Sequence, residues 1–266
     1  MGIDRLNEVF RKNTGEKIMS LFVTAGFPEL DCTPELILEL EKNGADVIEL
    51  GMPFSDPLAD GETIQRSSEI SIANGTTMDH IFDMVAEIRK SSQIPIVLMG
   101  YINPILYYGV DEFVKKSAVV GVDGFILPDV PIEEAGLVEG LCAEHNLALI
   151  HLVAPNTTDK RMVQIDEASQ GFVYCVSVTG VTGAREGSTV AQSVEAFIDR
   201  VCTNVKKNPV LVGFGIKSHE DAMRISNKTA GFVVGSALIN HINSHYPNSD
   251  WVEQTGTFVR SIKTGN

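Results

Sequence analysis

The sequence predicts an α/β fold, a single (β/α)8 TIM barrel spanning residues 1–266 with one extra helix at the N-terminus. First, eight short apolar runs recur along the chain, and each is followed by Gly, Pro or Asp and then by a longer segment of helical period. Second, the runs lack the polar alternation of half-exposed strands, which indicates parallel strands covered on both faces. The runs span residues 18–23, 47–50, 96–99, 124–127, 148–153, 172–176, 210–212 and 232–234.

The segments between these runs carry helix-start signals. Thr33 is predicted to cap the helix after the first run, because a proline and then apolar residues at helical spacing follow it. Thr158 and Ser218 are predicted to cap later helices. The segment 4–11 precedes the first run, and we expect it to form the extra helix, which would close the bottom of the barrel.

The charge of the chain narrows its range of partners. With 35 acidic and 21 basic residues the formal net charge is -14, and no basic run reverses this locally. Such a surface repels nucleic acid and anionic lipid, so we expect neither as a partner. No stretch of 18 uninterrupted apolar residues and no signal-peptide pattern is present. The sequence therefore predicts a soluble, cytoplasmic protein.

The cysteines and histidines predict no metal site. The four cysteines are scattered without a CxxC pair, which indicates reduced thiols. His241 and His245 are four residues apart and could share a helix face, but no third ligand accompanies them.

An acidic residue interrupts the second apolar run. Strand alternation places Glu49 on the face opposite Ile48 and Leu50, which points it into the barrel. Burial would raise the pKa of the carboxyl toward the range in which one group both gives and takes a proton. The alternative is a structural glutamate paired with Arg, Lys or backbone amides.

A long strand-to-helix loop follows, at residues 52–61, with two prolines and two aspartates. Loops of this kind are usually functional. Asp60 could fold back toward Glu49 as a second carboxylate; the alternative is an N-cap or a turn residue. Later, Gly213 to Gly215 and Gly235 to Ser236 follow the last two runs, the usual phosphate site of a barrel.

Longer motifs identify a family resemblance. Ile48-Glu49-Leu50-Gly51, then Pro53-Phe54-Ser55-Asp56-Pro57 and Ala59-Asp60-Gly61, resemble the signature of tryptophan synthase alpha subunits. Tyr174, Gly180-Val181-Thr182-Gly183, Gly213-Phe214-Gly215-Ile216 and Gly235-Ser236 follow in the order and approximate spacing of that family.

The resemblance implies cleavage of indole-3-glycerol phosphate into indole and glyceraldehyde 3-phosphate. It gives Glu49 the role of proton shuttle and gives Asp60 contact with the indole nitrogen. Tyr174 is implied as a supporting residue, with a hydrogen-bonded core aromatic as the alternative. Thr182 is implied to interact with Asp60 when its loop closes. The implied phosphate cradle consists of Gly183, Gly213, Phe214, Gly215, Gly235 and Ser236; Phe22, Met99 and Ile126, which could equally be core residues, would line the indole slot.

The resemblance also implies a partner. An apolar, aromatic stretch at residues 103–109 predicts either a docking surface or an insertion folded on itself. In the family, positions corresponding to Asp56, Pro57, Asn103 and Pro131 contact a beta subunit in an α2β2 complex. Pyridoxal phosphate belongs to that subunit, so we expect no cofactor and no metal in this chain.

Three alternatives stay open on the sequence alone. A different phosphate-binding barrel enzyme would keep the late glycine loops without needing the Glu49 and Asp60 pair. A catalytically silent activator of a beta-type partner would bind without cleaving. A freestanding lyase would release indole without any partner.

Overall fold

The computed structural model describes residues 2–12, 15–176, 188–213 and 215–266, with residues 188–193 described by their backbone alone. The strands β1 to β9 span Ile18–Thr24, Val47–Gly51, Ile96–Met99, Gly124–Ile126, Ala148–Ile150, Leu152–Val153, Val173–Val176, Val210–Gly213 and Gly231–Val234. The helices α1 to α12 span Ile3–Lys12, Thr33–Lys42, Glu62–Ala73, Met78–Ile88, Ile102–Tyr108, Val110–Val120, Glu139–Glu144, Asp159–Ala168, Ser188–Asn204, His219–Ser226, Ser236–His245 and Trp251–Thr264.

The strands form one parallel sheet that curls into a TIM barrel, as predicted. Its order is β5-β4-β3-β2-β1-β9-β8-β7-β6. The two edge strands are consecutive pieces of the predicted run 148–153, so the prediction of one continuous strand there was wrong. The first piece pairs with β4 and the second with β7, because the chain bends at His151 to reach both neighbours. This single segment therefore closes the ring.

Alternate strand positions fill the barrel interior. The side chains that pack there are Ile18, Val47, Val97, Ile126, Ala148, Ile150, Phe172, Leu211 and Val233. Packing is tight between β1 and β9, where a Cβ on Gly231 would lie 2.0 Å from the carbonyl oxygen of Ile18. Only glycine allows this approach of the two backbones.

The extra N-terminal helix is present as α1. Its Leu6 is fully buried and packs against the interior cluster at the N-terminal end of the strands. The N–H of Ile3 donates to the carbonyl of Asn146 at 2.9 Å, which ties the helix to the segment before β5. The helix thus covers the bottom of the barrel and leaves the opposite end for the functional loops.

Two of the three predicted helix caps are present. The hydroxyls of Thr158 and Ser218 accept from the backbone N–H three residues later. The prediction for Thr33 was wrong, because Cys32 occupies the cap position and Thr33 is the first helical residue. The Thr33 hydroxyl instead accepts from the N–H of Gly26 at 2.9 Å, a contact with the loop after β1. None of the described helices is long and apolar enough to cross a membrane.

Candidate active site

A cavity of about 610 Å³ opens at the C-terminal ends of the strands. Most of the residues that line it are apolar, and the polar side chains among them are those of Asp60, Tyr174 and Ser236. Eight of the sequence-predicted site residues line it: Phe22, Asp60, Met99, Tyr174, Gly213, Gly215, Gly235 and Ser236. The fold therefore brings together residues from six different parts of the chain.

Glu49 lies inside the barrel and is not among the residues that line this cavity, although its strand partner Phe22 is. Its side chain is fully buried, and Oε1 accepts a hydrogen bond of 2.7 Å from the Ser20 hydroxyl. Oε2 has no hydrogen-bond partner among the described residues. Burial raises the pKa of Glu49 to about 8, and the Ser20 hydrogen bond opposes this in part. The inward orientation is as predicted. Among the described residues no Arg, Lys or backbone amide pairs with the Glu49 carboxyl, whose one hydrogen bond comes from Ser20.

Asp60 lies on the cavity wall at the end of the β2–α3 loop. Burial raises its pKa to about 6, and a hydrogen bond with Tyr101 opposes this. The Tyr101 hydroxyl also accepts from the N–H of Ala59 at 2.9 Å, so it holds the end of the loop. Asp60 does not cap α3, because the cap position belongs to Gly61. Sequence reasoning missed Tyr101, although an aromatic hydroxyl two residues beyond a predicted strand is a signal for it.

Tyr174 lies within range of the charges of both carboxyl groups. It is 8% exposed, and a Cβ on Gly213 would lie 2.8 Å from its hydroxyl oxygen, so the hydroxyl rests over that glycine. Burial, followed by the negative charges of Glu49 and Asp60, raises the pKa of Tyr174 well above its ordinary value. The phenol therefore stays neutral and faces both carboxyls.

The far side of the cavity has the features of an anion site. Helix α11 begins at Ser236, one residue after the end of β9. Its cap residue is Gly235, which has no side chain to occupy the first N–H groups of the helix. The first N–H groups of a helix have no partner within it and carry a partial positive charge. Gly215 at φ +66° lies on the neighbouring turn. Backbone amides here can hold a phosphate without any basic side chain.

Several predicted residues lie elsewhere. Ile126 is fully buried in the barrel interior and is not among the residues that line the cavity. Thr182, Gly183 and Phe214 lie outside the described residues. Among the described residues no group of three or more His, Cys, Asp and Glu side chains could hold a metal ion. The four cysteines are free thiols, as expected.

The predicted partner residues differ in their exposure to solvent. Asp56, Asn103 and Pro131 are exposed, whereas Pro57 is buried within the chain itself. Its neighbour Leu58 is 93% exposed and stands at the rim of the cavity. In the 103–109 stretch Tyr107 is 96% exposed. Two large apolar side chains therefore face solvent near the open end of the barrel.

Comparisons with known proteins agree with this architecture. A profile of the family described as Tryptophan synthase alpha chain matches residues 10–265. The tryptophan synthase alpha chain of Citrifermentans bemidjiense is 45% identical over 254 residues, which cover 96% of this chain and 94% of the relative. That of Christiangramia forsetii is 40% identical over 262 residues, which cover 98% and 99%. The crystal structure of tryptophan synthase subunit alpha from Legionella pneumophila superposes with a TM-score of 0.87 at 36% identity, covering 99% and 97%. The chain belongs to the tryptophan synthase alpha chain family.

Proposed function

We propose that the chain cleaves indole-3-glycerol phosphate to indole and glyceraldehyde 3-phosphate by a retro-aldol reaction. The observation that carries the proposal is a pair of carboxyl groups whose charges both act on the cavity residue Tyr174 and whose pKa values differ, about 8 for Glu49 and about 6 for Asp60. At neutral pH the first is mostly protonated and the second mostly ionised. One acid and one base are therefore present together, which is the usual sign of assigned acid–base roles.

The reaction needs both groups. Protonated Glu49 gives its proton to C3 of the indole ring, so that a C–H bond forms and the ring nitrogen becomes positively charged. Ionised Asp60 stabilises that charge. The bond between C3 and the glycerol carbon then breaks, its electron pair returns to the ring as neutral indole, and the hydroxyl proton of that carbon passes to Glu49. The aldehyde leaves, and Glu49 ends protonated, ready for another turnover.

The cavity suits the two ends of this substrate. Apolar side chains such as Phe22 and Met99 line the wall near Asp60, where a flat aromatic ring would be desolvated. Gly235 and Ser236 begin α11 at another part of the lining, where the phosphate would meet free backbone N–H groups. The substrate would thus lie with its scissile bond between an apolar slot and an anion site.

Tryptophan synthase alpha chains work with a beta subunit in tryptophan biosynthesis. We propose that this chain forms an α2β2 complex in the cytoplasm and passes indole to a beta subunit that alone carries pyridoxal phosphate. The exposure of Leu58 and Tyr107 supports a docking surface at the open end. Tyr107 also lines a groove of about 350 Å³, together with residues that include Pro53 and Pro104.

The reaction is tested by assaying purified chain for indole release from indole-3-glycerol phosphate, with and without a beta subunit. Glu49→Gln should lower kcat by roughly 10³-fold, the scale expected for a general acid–base group. Glu69→Gln is the matched control, because Glu69 is an exposed carboxyl on α3, and it should keep wild-type activity. Undiminished cleavage by Glu49→Gln would overturn the proposed proton shuttle. No indole release from the wild type under either condition would overturn the reaction itself.

The partner surface is tested by the affinity for purified tryptophan synthase beta subunit, measured by sedimentation. Tyr107→Ser should weaken the complex by about tenfold or more, because large aromatic side chains carry much of the energy of an interface. Val119→Ser is the control, since Val119 is 85% exposed at the end of α6 near the opposite face. Equal weakening by both variants would place the interface elsewhere.

A further inference from the structure

We propose that Ser20 is a positioning residue of the active site, whose hydroxyl fixes Oε1 of Glu49 and thereby leaves Oε2 as the oxygen that exchanges the proton. The inference rests on the proposed function, because it concerns the group that delivers that proton. Nothing in the family motif points to Ser20. Its signal in the sequence is a single hydroxyl in the otherwise apolar run 18–23.

The strand register brings the two side chains together. In the pairing of β1 with β2, Phe22 stands opposite Glu49, and Ser20 stands opposite Val47. Ser20 therefore lies one side-chain layer nearer the bottom of the barrel, on the same inward face as Glu49. The 2.7 Å contact joins two side chains that are both 0% exposed. The Glu49 carboxyl thus reaches down to Ser20.

Hydrogen-bond chemistry then assigns the two oxygens of Glu49. A serine hydroxyl has one proton to donate, and here it goes to Oε1. In the ionised carboxylate Oε1 accepts this bond, so Oε2 is the oxygen with the free lone pairs, and the proton that Glu49 takes up goes there. Oε2 has no partner among the described residues. The proton is therefore held on the oxygen that is free to give it away.

Among the described residues, few other groups act on the Glu49 carboxyl. From β7 the Tyr174 phenol faces it, and Asp60 of the β2–α3 loop acts on that same phenol. From β3 the register partner of Glu49 is the apolar Val97. Burial raises the pKa of Glu49, and the Ser20 hydrogen bond is the contact that lowers it. Removing the hydroxyl should therefore raise that pKa further.

A structural hydroxyl and a positioning hydroxyl predict different outcomes. If Ser20 only satisfies a buried polar atom, its loss changes the free energy of unfolding and leaves the turnover of the folded enzyme unaltered. If Ser20 positions the proton, its loss shifts the titration of Glu49 and slows turnover with little change in KM. Because protonated Glu49 begins the proposed reaction, activity falls as pH rises through its pKa. This fall of kcat/KM at high pH, its basic limb, should shift by the same amount as the titration of Glu49.

The test is a carboxyl-carbon NMR titration of glutamate-labelled protein, in which the Glu49 signal is the one absent from Glu49→Gln. Ser20→Ala should move the midpoint upward by about one pH unit. It should also move the basic limb of kcat/KM by the same amount and lower kcat by about tenfold. Ser20→Thr, which keeps the hydroxyl, should have the titration midpoint, the basic limb and the kcat of the wild type. Thr24→Val is the matched control, because the Thr24 hydroxyl is buried on the same strand but pairs with Ser67; it should change neither.

An unchanged midpoint or an unchanged kcat in Ser20→Ala, or a shift of equal size in Thr24→Val, would overturn the role of Ser20. Both measurements are made on Ser20→Ala itself, so together they decide the matter even where Ser20→Thr does not fold. A wild type that releases no indole would instead overturn the proposed function. The two failures are therefore distinguishable.

Discussion

Two fully buried carboxyl groups lie at opposite ends of this barrel, and their environments differ sharply. Asp123 precedes β4 at the bottom, where its Oδ1 accepts from Arg5 at 2.8 Å and its Oδ2 accepts from Arg89 at 2.9 Å and from the N–H of Ile96 at 2.8 Å. Glu49 has one hydrogen bond and one unpartnered oxygen. A carboxylate with both oxygens paired holds structure together, whereas one left half-paired is available for chemistry.

The pairing of Asp123 connects several elements. Arg5 belongs to α1 and Arg89 follows α4, and both guanidinium groups also donate to the carbonyl of Gly121. Asp123 therefore fastens the N-terminal helix, an outer helix and the start of a strand at one point. In the described part of the chain Glu49 has no comparable set of partners at the open end of the barrel, which suits the proposed site, where a substrate must enter and leave.

The largest effect expected from this comparison is on stability at the bottom of the barrel. Asp123→Asn should lower the free energy of unfolding by about 3–5 kcal/mol, because it leaves two partly buried guanidinium groups without their counter-charge. Urea denaturation would measure this, with Asp111→Asn as the control, since Asp111 forms an exposed pair with Lys115 and should have little effect. The folded fraction of Asp123→Asn should keep its kcat. A stable, inactive variant would contradict the division of roles.

A second effect concerns stability at the top of the barrel and its pH dependence. The pKa of Glu49 is about 8 in the folded state and near 4.5 when exposed, so the folded protein binds more protons between these values. The free energy of unfolding should therefore fall as pH rises from about 4.5 to 8, and this group should account for roughly 2.5 kcal/mol of the loss between pH 5 and pH 7. Denaturation curves of the wild type and Glu49→Gln at several pH values would measure it. The variant should lack this loss, and parallel curves would mean that Glu49 is not held protonated.

The smallest effect should come from Tyr101, which supports Asp60. Tyr101→Phe removes a hydrogen bond that lowers the pKa of Asp60. Because the proposed reaction needs Asp60 ionised, the acid limb of kcat/KM should move upward by about half a pH unit, which is roughly threefold at pH 6. Tyr246→Phe is the control, as it removes a phenol bound to Glu29 away from the cavity. Equal profiles for the wild type and Tyr101→Phe would remove Tyr101 from the site.

Prediction from the sequence worked best where a local pattern carries the information. Strand alternation within β2 placed Glu49 inside the barrel, and the structure confirms that orientation. The eight apolar runs and the helix before them are also found. The same alternation turns Ile126 inward, but it says nothing about depth, and Ile126 lies in the packed interior away from the cavity lining.

Contacts between distant segments were not predictable in this way. Ser20 meets Glu49 only because β1 and β2 pair in one particular register. Tyr101 reaches Asp60 because the β2–α3 loop folds over the end of β3. The path of the β2–α3 loop buries Pro57 and exposes Leu58, and no short sequence pattern specifies that path.

The sequence by itself determined the barrel, its N-terminal helix, the family and the inward carboxyl, because apolar periodicity, turn residues and a long motif are properties of neighbouring residues. Only the tertiary structure decided which oxygen of Glu49 is paired, what holds Asp60, and how one split run closes the ring. The physical reason is that hydrogen bonding and desolvation depend on strand register and loop path. These bring together residues as far apart along the chain as Arg5 and Asp123.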